Sequence, residues 1–370
     1  MILKFYPTKD ATIYEQYPNR NTGLDAILEI SKNLVATGSA ISGSYNSRIL
    51  LDFDYVTISS SIVNLGYDPN NFQYSLKMYV AEAKEIPVNY TLYAYPISGS
   101  WNMGIGRYGN IPQTTAGVSW RYQQTADDLA TAWSTSSYTT TVTASWATTA
   151  GGGTWYTSSV ASQSFDYTTS DIDMDITSIV NSIQSGSINF NGIIIKKSDT
   201  DETSANIFNS LKFFSKDTHT VYLPVIEAKY DDSVSTAALT QLDTEEDYNI
   251  IFTNLRTAYS ENSTPKIRIS ARYQYPTPVF QTSSLFLTSY RLPTGSQYAI
   301  YSAHSDDVII NFSDYTKLSD DATSNYVKLH LDSFQPERYY KMLIRVPNSG
   351  SVNTYQVYDN KWIFKVTRGQ

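Results

Sequence analysis

The side chains able to do chemistry are few and widely spaced. Asp171, Asp173 and Asp175 alternate, so on an extended strand they share one face with steps of about 7 Å. Such a ladder suits calcium, which takes about six to eight oxygen ligands. It also suits a glycosidase pair, an acid and a base about 5–9 Å apart. Structural duties compete with both uses. Asp175 is placed to cap a helix, and Asp171 belongs to the turn after Thr168-Thr169-Ser170. Asp52 and Asp54 form a weaker pair on the polar face of a strand. His219, His304 and His330 lie far apart, and no HExxH, His-x-His or GxSxG pattern occurs. Gly104-Ile105-Gly106 lacks the strand–helix context and the Lys-Ser/Thr pair of a phosphate cradle. The chain therefore reads as non-enzymatic, with no catalytic residue, no cofactor and no bound metal.

Aromatic residues carry the other signal. The chain holds 31 Tyr, 14 Phe and 6 Trp in a background rich in Ser and Thr. Tyr supplies broad contact area with a polar tip, which suits both protein interfaces and glycan platforms. Trp133, Trp146 and Trp155 are expected to anchor contacts with another chain. Trp101 and Trp120 are the contacts of the alternative reading, in which ring faces stack on a pyranose.

These residues must be positioned by strands. Ile49, Leu51, Phe53 and Tyr55 alternate with Leu50, Asp52, Asp54 and Val56, and Leu76, Met78 and Val80 alternate again. Ile193-Ile194-Ile195 is a continuous apolar run, as expected for a strand covered on both faces. Further on, Ile267, Ile269, Ala271, Tyr273 and Tyr275 alternate with polar residues, as do Val327, Leu329 and Leu331, and Trp362, Phe364 and Val366. Short strands separated by Gly, Pro, Asn and Asp point to sandwiches or jelly rolls. One helix is predicted, with Asp175 as N-cap, Ile176, Ile179, Val180 and Ile183 as its apolar stripe and Gly186 as its stop. Residues 248–259 read as a strand ending in a helical turn.

The 370 residues are 17% charged, with a net charge of −8 and no cysteine. Zero Cys removes disulfides, thiolate nucleophiles and Cys-based zinc sites. The acidic balance argues against nucleic acid as a partner. The first residues show no signal-peptide pattern, and no apolar run is long enough to span a membrane. Residues 231–236 are the best linker, which divides the chain into 1–235 and 236–370. The polar, Gly- and Trp-bearing stretch 98–164 reads as an insertion, and 125–164 as an arm ordered by neighbouring chains.

Several motifs also carry a family resemblance. Lys9-Asp10-Ala11-Thr12-Ile13-Tyr14, Asn19-Arg20-Asn21-Thr22-Gly23, Ser47-Arg48-Ile49-Leu50-Leu51-Asp52-Phe53-Asp54, Asp175-Ile176-Thr177 and Gly192-Ile193-Ile194-Ile195-Lys196 occur in that order. Over residues 1–230 this resembles the DNRLRE family of jelly-roll domains, related to carbohydrate-binding modules. The C-terminal part, with Phe312-Ser313-Asp314-Tyr315 and Pro336-Glu337-Arg338-Tyr339-Tyr340, is similar to structural virion proteins of T4-like tailed bacteriophages. The resemblance implies an all-β chain: an N-terminal jelly-roll sandwich with one short helix and a long insertion, then an immunoglobulin-like sandwich. It also implies a component of the tail, neck, baseplate or capsid decoration, made in a host cytoplasm and carried in the virion. Its partners would be other virion proteins and copies of itself, without nucleic acid or membrane, and a glycan under the alternative reading.

Overall fold

The computed structural model describes residues 1–37, 40–126, 129–133, 141–143, 151–204, 208–244, 247–276, 289–348 and 354–369. The chain is all-β, as its composition predicts, and folds as two compact units. One comprises residues 5–228; the other comprises residues 229–370 together with Met1–Lys4. The expected boundary near 235 thus falls at 228/229. Ile2 belongs to the core of the second unit, and the Lys4 N–H donates to Ser333 Oγ at 3.0 Å. The expected linker is also tied down within that unit. Asp320 Oδ1 accepts the N–H groups of Thr236 and Ala237, each at 3.1 Å, and the Asp320 N–H donates to Val234 at 2.9 Å.

In the unit 5–228 the larger sheet runs in the order Ala161–Phe165, Tyr90–Pro96, Ile193–Lys197, Ala40–Asp52, Ile27–Thr37, Phe208–Phe214, Val80–Lys84. Lys9–Tyr14 also pairs with Ala40–Asp52. A smaller sheet carries Val225–Lys229, Gln73–Met78 and Ile172–Asp175. Register explains the triple isoleucine. Ile193 and Ile195 pair with Leu51 and Ile49, while Ile194 pairs with Leu50. The first set faces the smaller sheet, where Ile193 lines a narrow apolar cavity with Tyr74, Ile226 and Ile179. The second set faces outward, yet Ile194 and Leu50 have no exposed surface. Something covers that face too, and it is the insertion.

Two local expectations are corrected here. The strand Ala40–Asp52 stops at Asp52 because Asp54 caps a helix, Tyr55–Asn64, accepting the Thr57 N–H at 3.1 Å. Alternation through Tyr55 and Val56 was thus broken by a cap. The predicted helix is present as Thr177–Gln184, with Ile176 at its N-cap position. Asp175 stands one residue earlier and accepts the Thr177 N–H at 2.9 Å.

The other unit is a two-sheet sandwich. One sheet orders Thr240–Gln241, Tyr290–Arg291, Lys266–Tyr273, Asn325–Lys328 and Ser319–Asp320, with Tyr248–Phe252 also on Lys266–Tyr273. The second orders Ala258–Ser260, Tyr355–Thr367, Arg338–Pro347, Gln297–Ser302 and Val308–Ile310. Ile267 and Ile269 from the first sheet share one core with Ile300, Met342, Ile344 and Phe364 from the second. The helical turn expected after Phe252 is absent; Ala258–Ser260 is a strand running parallel to Tyr355–Thr367.

Candidate functional site

The described part of the insertion packs on its own unit. Trp101, Trp120, Trp133 and Trp155 are buried in one cluster with Ala11, Ile13, Leu50 and Ile194 on the outer face of the larger sheet. Trp101 Nε1 donates to the Asn191 carbonyl at 2.8 Å, and Trp133 Nε1 to the Ser119 carbonyl at 2.9 Å. Trp133 and Trp155, expected to anchor contacts with another chain, are buried against their own sheet, and so are Trp101 and Trp120, the expected sugar contacts. Trp146 lies outside the described residues.

A buried ionic centre lies beneath these rings. Arg48, on the apolar strand Ala40–Asp52, points outward between Trp120 and Trp155, its Cζ 4.9 and 5.1 Å from the two ring centroids. Its Nε and Nη2 donate to the two carboxylate oxygens of Glu202 at 3.1 and 2.7 Å, and its Nη1 donates to the Gly152 carbonyl. Lys196 adds an ammonium 3.2 Å from Glu202 Oε2 and 4.9 Å over the Trp155 ring. Glu202 comes from a helical turn, Asp199–Thr203, started by Ser198, whose Oγ accepts the Asp201 N–H at 2.9 Å. Bidentate geometry and flanking rings compensate the desolvation of these charges.

Two further devices hold the insertion in place. The Asn21 side chain, wholly buried, donates to the carbonyls of Met103 and Val118 at 2.7 and 2.8 Å and accepts the Gly106 N–H at 2.7 Å. Gly152 adopts φ +84°, and a Cβ there would lie 2.6 Å from Arg48 Nη1. Glycine is required by this close approach, so the Gly151-Gly152-Gly153 run serves packing.

The acidic ladder separates into individual duties. Asp171 Oδ1 accepts the Val80 N–H at 2.8 Å, and Asp173 lies 3.6 Å from the Lys77 ammonium. Asp52 is paired with Lys9 at 2.9 Å. Among the described residues no three His, Asp or Glu side chains group to hold a metal. His304 packs edge-on against Tyr339 at 5.5 Å, and burial holds the His330 imidazole below its usual range. Burial also pushes the Lys197 ammonium down to about 7 and the Asp10 carboxyl up to about 7. Lys197 is buried and donates to the Ser31 carbonyl at 3.0 Å, so no substrate reaches it.

An open groove lies at the edge of the larger sheet. Val80, Ile86, Pro87, Val88, Tyr90 and Tyr167 line a groove of about 220 Å³, with Asp166 at its margin. Tyr167 is 89% exposed. Sequence reasoning missed Arg48, Lys196, Glu202 and Asn21 as the centre of the unit. The available signal was a cation inside an apolar strand, in Arg48-Ile49-Leu50-Leu51 and again in Ile193-Ile194-Ile195-Lys196.

No family model matches the chain, and no curated protein matches it. A solved structure, the adhesin domain of Epf from Streptococcus pyogenes, aligns over 100% of this chain and 99% of that one, at 7% identity and a TM-score of 0.18. A likeness at that score carries no argument about fold or function.

Proposed function

We propose that the chain is a non-enzymatic structural component of a tailed-bacteriophage virion, in the tail, neck, baseplate or capsid decoration, and that it works through protein–protein contacts. The observation that supports this reading is the buried Arg48–Glu202 centre under the insertion. A long polar excursion is spent on thickening one sheet with a second core, and the charged groups with chemical potential are consumed in doing so. The result is a stiff, disulfide-free body, which suits a part assembled in a reducing cytoplasm. Partners would be other virion proteins and copies of the same chain.

The test is localisation. Antibody against the chain should decorate intact particles in electron microscopy, and the chain should copurify with them at a fixed stoichiometry. Particles of normal composition without the chain would overturn the reading.

A second reading, a glycan-binding module, is favoured by one observation, the exposed Tyr167 ring beside Tyr90 and Asp166 at the sheet-edge groove. On a glycan array, specific binding lost on Tyr167→Ala would promote it over the first.

A further inference from the structure

We propose that the loop 105–112, together with Tyr17 and Arg20, docks an acidic segment of a partner polypeptide and seats one of its carboxylates on the Arg20 guanidinium. The docking role rests on the reading above, a chain acting through protein–protein contacts, and names the chemistry of the partner. Arg20 closes a turn begun at Tyr17, its N–H donating to the Tyr17 carbonyl at 2.9 Å. Its Cζ lies 3.9 Å from the Tyr17 ring centroid and 4.5 Å from that of Tyr108. The two rings stand edge-on to each other, 5.7 Å apart, and Tyr14 backs Tyr108 at 5.1 Å. The guanidinium is thus held in a corner of aromatic faces. Among the described residues no carboxylate forms an ion pair with it, and its Nε is buried without an acceptor.

The loop that carries Tyr108 is pinned to the segment 21–25. The Gly106 carbonyl accepts the Leu24 N–H and the Thr114 carbonyl the Asn21 N–H, each at 2.9 Å. Both Asp25 carboxylate oxygens take the Tyr108 N–H, at 3.1 and 3.2 Å, so that carboxylate is engaged by the backbone. The Asn110 N–H closes the tip by donating to the Arg107 carbonyl at 3.1 Å. From this base Ile105, Tyr108 and Ile111 are 72%, 42% and 98% exposed. Single exposed isoleucines are ordinary. Two of them in one pinned loop with a ring-stacked arginine have the make-up of an interface hot spot, and little freedom is lost when a partner covers them.

Charge selects the partner. Between Glu85 and Asp127 the only charged residues are Arg107 and Arg121, in a chain of net charge −8. Arg121 joins this surface through its N–H, which donates to the Pro18 carbonyl at 2.9 Å. Positive charge supplied by arginine without lysine is the bias of protein interfaces. A guanidinium offers a planar fork that fits a carboxylate, and stacking on the rings fixes the fork before the partner arrives. An acidic polypeptide with aliphatic side chains between its carboxylates meets Arg20 and covers Ile105 and Ile111 together. An acidic polysaccharide has nothing to offer the two isoleucines.

The experiment uses the full chain and a short fluorescent peptide alternating glutamate and leucine, read by anisotropy at rising salt. The peptide should bind, and more weakly as salt rises. Arg20→Ala should weaken binding about tenfold or more, the worth of one hydrogen bond to a charged group. Ile111→Ser, at the most exposed of the three positions, should weaken it severalfold and leave the melting temperature unchanged. A lysine–leucine peptide should not bind. Three results would overturn the site: no binding of the glutamate–leucine peptide, equal binding by an Arg20→Ala chain that is folded by circular dichroism, or equal binding of a glutamate–serine peptide and of heparin, the mark of an undiscriminating polyanion patch. Each leaves the place of the chain in a particle to antibody localisation, so the two readings fail separately.

Discussion

Arg48 and Glu202 meet side by side, Nη2 to Oε2 at 2.7 Å, with neither side chain exposing any surface. The pair joins a central strand to the helical turn 199–203, far away in sequence, and the rings of Trp120 and Trp155 close over it. Removing one partner takes away the bidentate pairing that offsets the burial of the other's charge, although Lys196 still lies 3.2 Å from Glu202 Oε2. Glu202→Gln or Arg48→Met should therefore lower the stability of the unit 5–228 by about 3–5 kcal/mol. Denaturant unfolding followed by tryptophan fluorescence measures this directly. A loss under 1 kcal/mol, the range of an exposed pair, would show that water already reaches the centre.

Gly152→Ala tests the close approach of the glycine run. The added methyl must displace Arg48 Nη1 and lies 2.8 Å from Trp120 Cζ2, on a backbone with φ +84°. A loss of about 1–3 kcal/mol is expected from overpacking alone. Changed near-ultraviolet dichroism from Trp120 should accompany it.

Asn21→Ala removes a clamp and leaves the Met103 and Val118 carbonyls and the Gly106 N–H without their partner. Each unmet group costs about 1–3 kcal/mol. The expected outcome is early proteolytic cleavage between residues 103 and 118, read by mass spectrometry of the fragments, before the sheet itself is cut.

Stability against pH should pass through a minimum near neutrality. Asp10 is raised from 3.8 to about 7, chiefly by burial, so the folded state holds its proton while the unfolded chain has lost it. Its contribution is full below pH 4 or so and is lost as pH rises to about 7. Lys197 is lowered from 10.5 to about 7, also by burial, so above that the unfolded chain binds the extra proton. Stability from that group is regained as pH rises from about 7 towards 10.5. Asp10→Asn should flatten the acidic limb and Lys197→Met the alkaline one, in melting temperatures taken across the range.

The sheets were legible in the sequence because period-2 alternation and turn residues are local signals. Ile267, Ile269 and Ala271 are buried in the order their spacing predicts. The double burial of Ile193-Ile194-Ile195 was legible for the same reason. What covers the outer face was not, because the partners of Arg48 stand at positions 120, 152, 155 and 202. Separation of that kind leaves no periodic trace. The tryptophans were conspicuous by type, yet type alone does not say whether a large ring points at another chain or at its own sheet. The helix Tyr55–Asn64 was hidden for another reason: its stripe, Ile58 and Ile62, is short, and the cap Asp54 also fits an alternating strand.

Ile2 lies in the core of the unit that otherwise begins at Lys229. During synthesis those residues emerge well before their partners in 229–370. Residues 5–228 hold every strand of the larger sheet, which can close first. The second sandwich is then sealed by a segment made well before it, so a nick after Lys4 would weaken a body more than two hundred residues downstream.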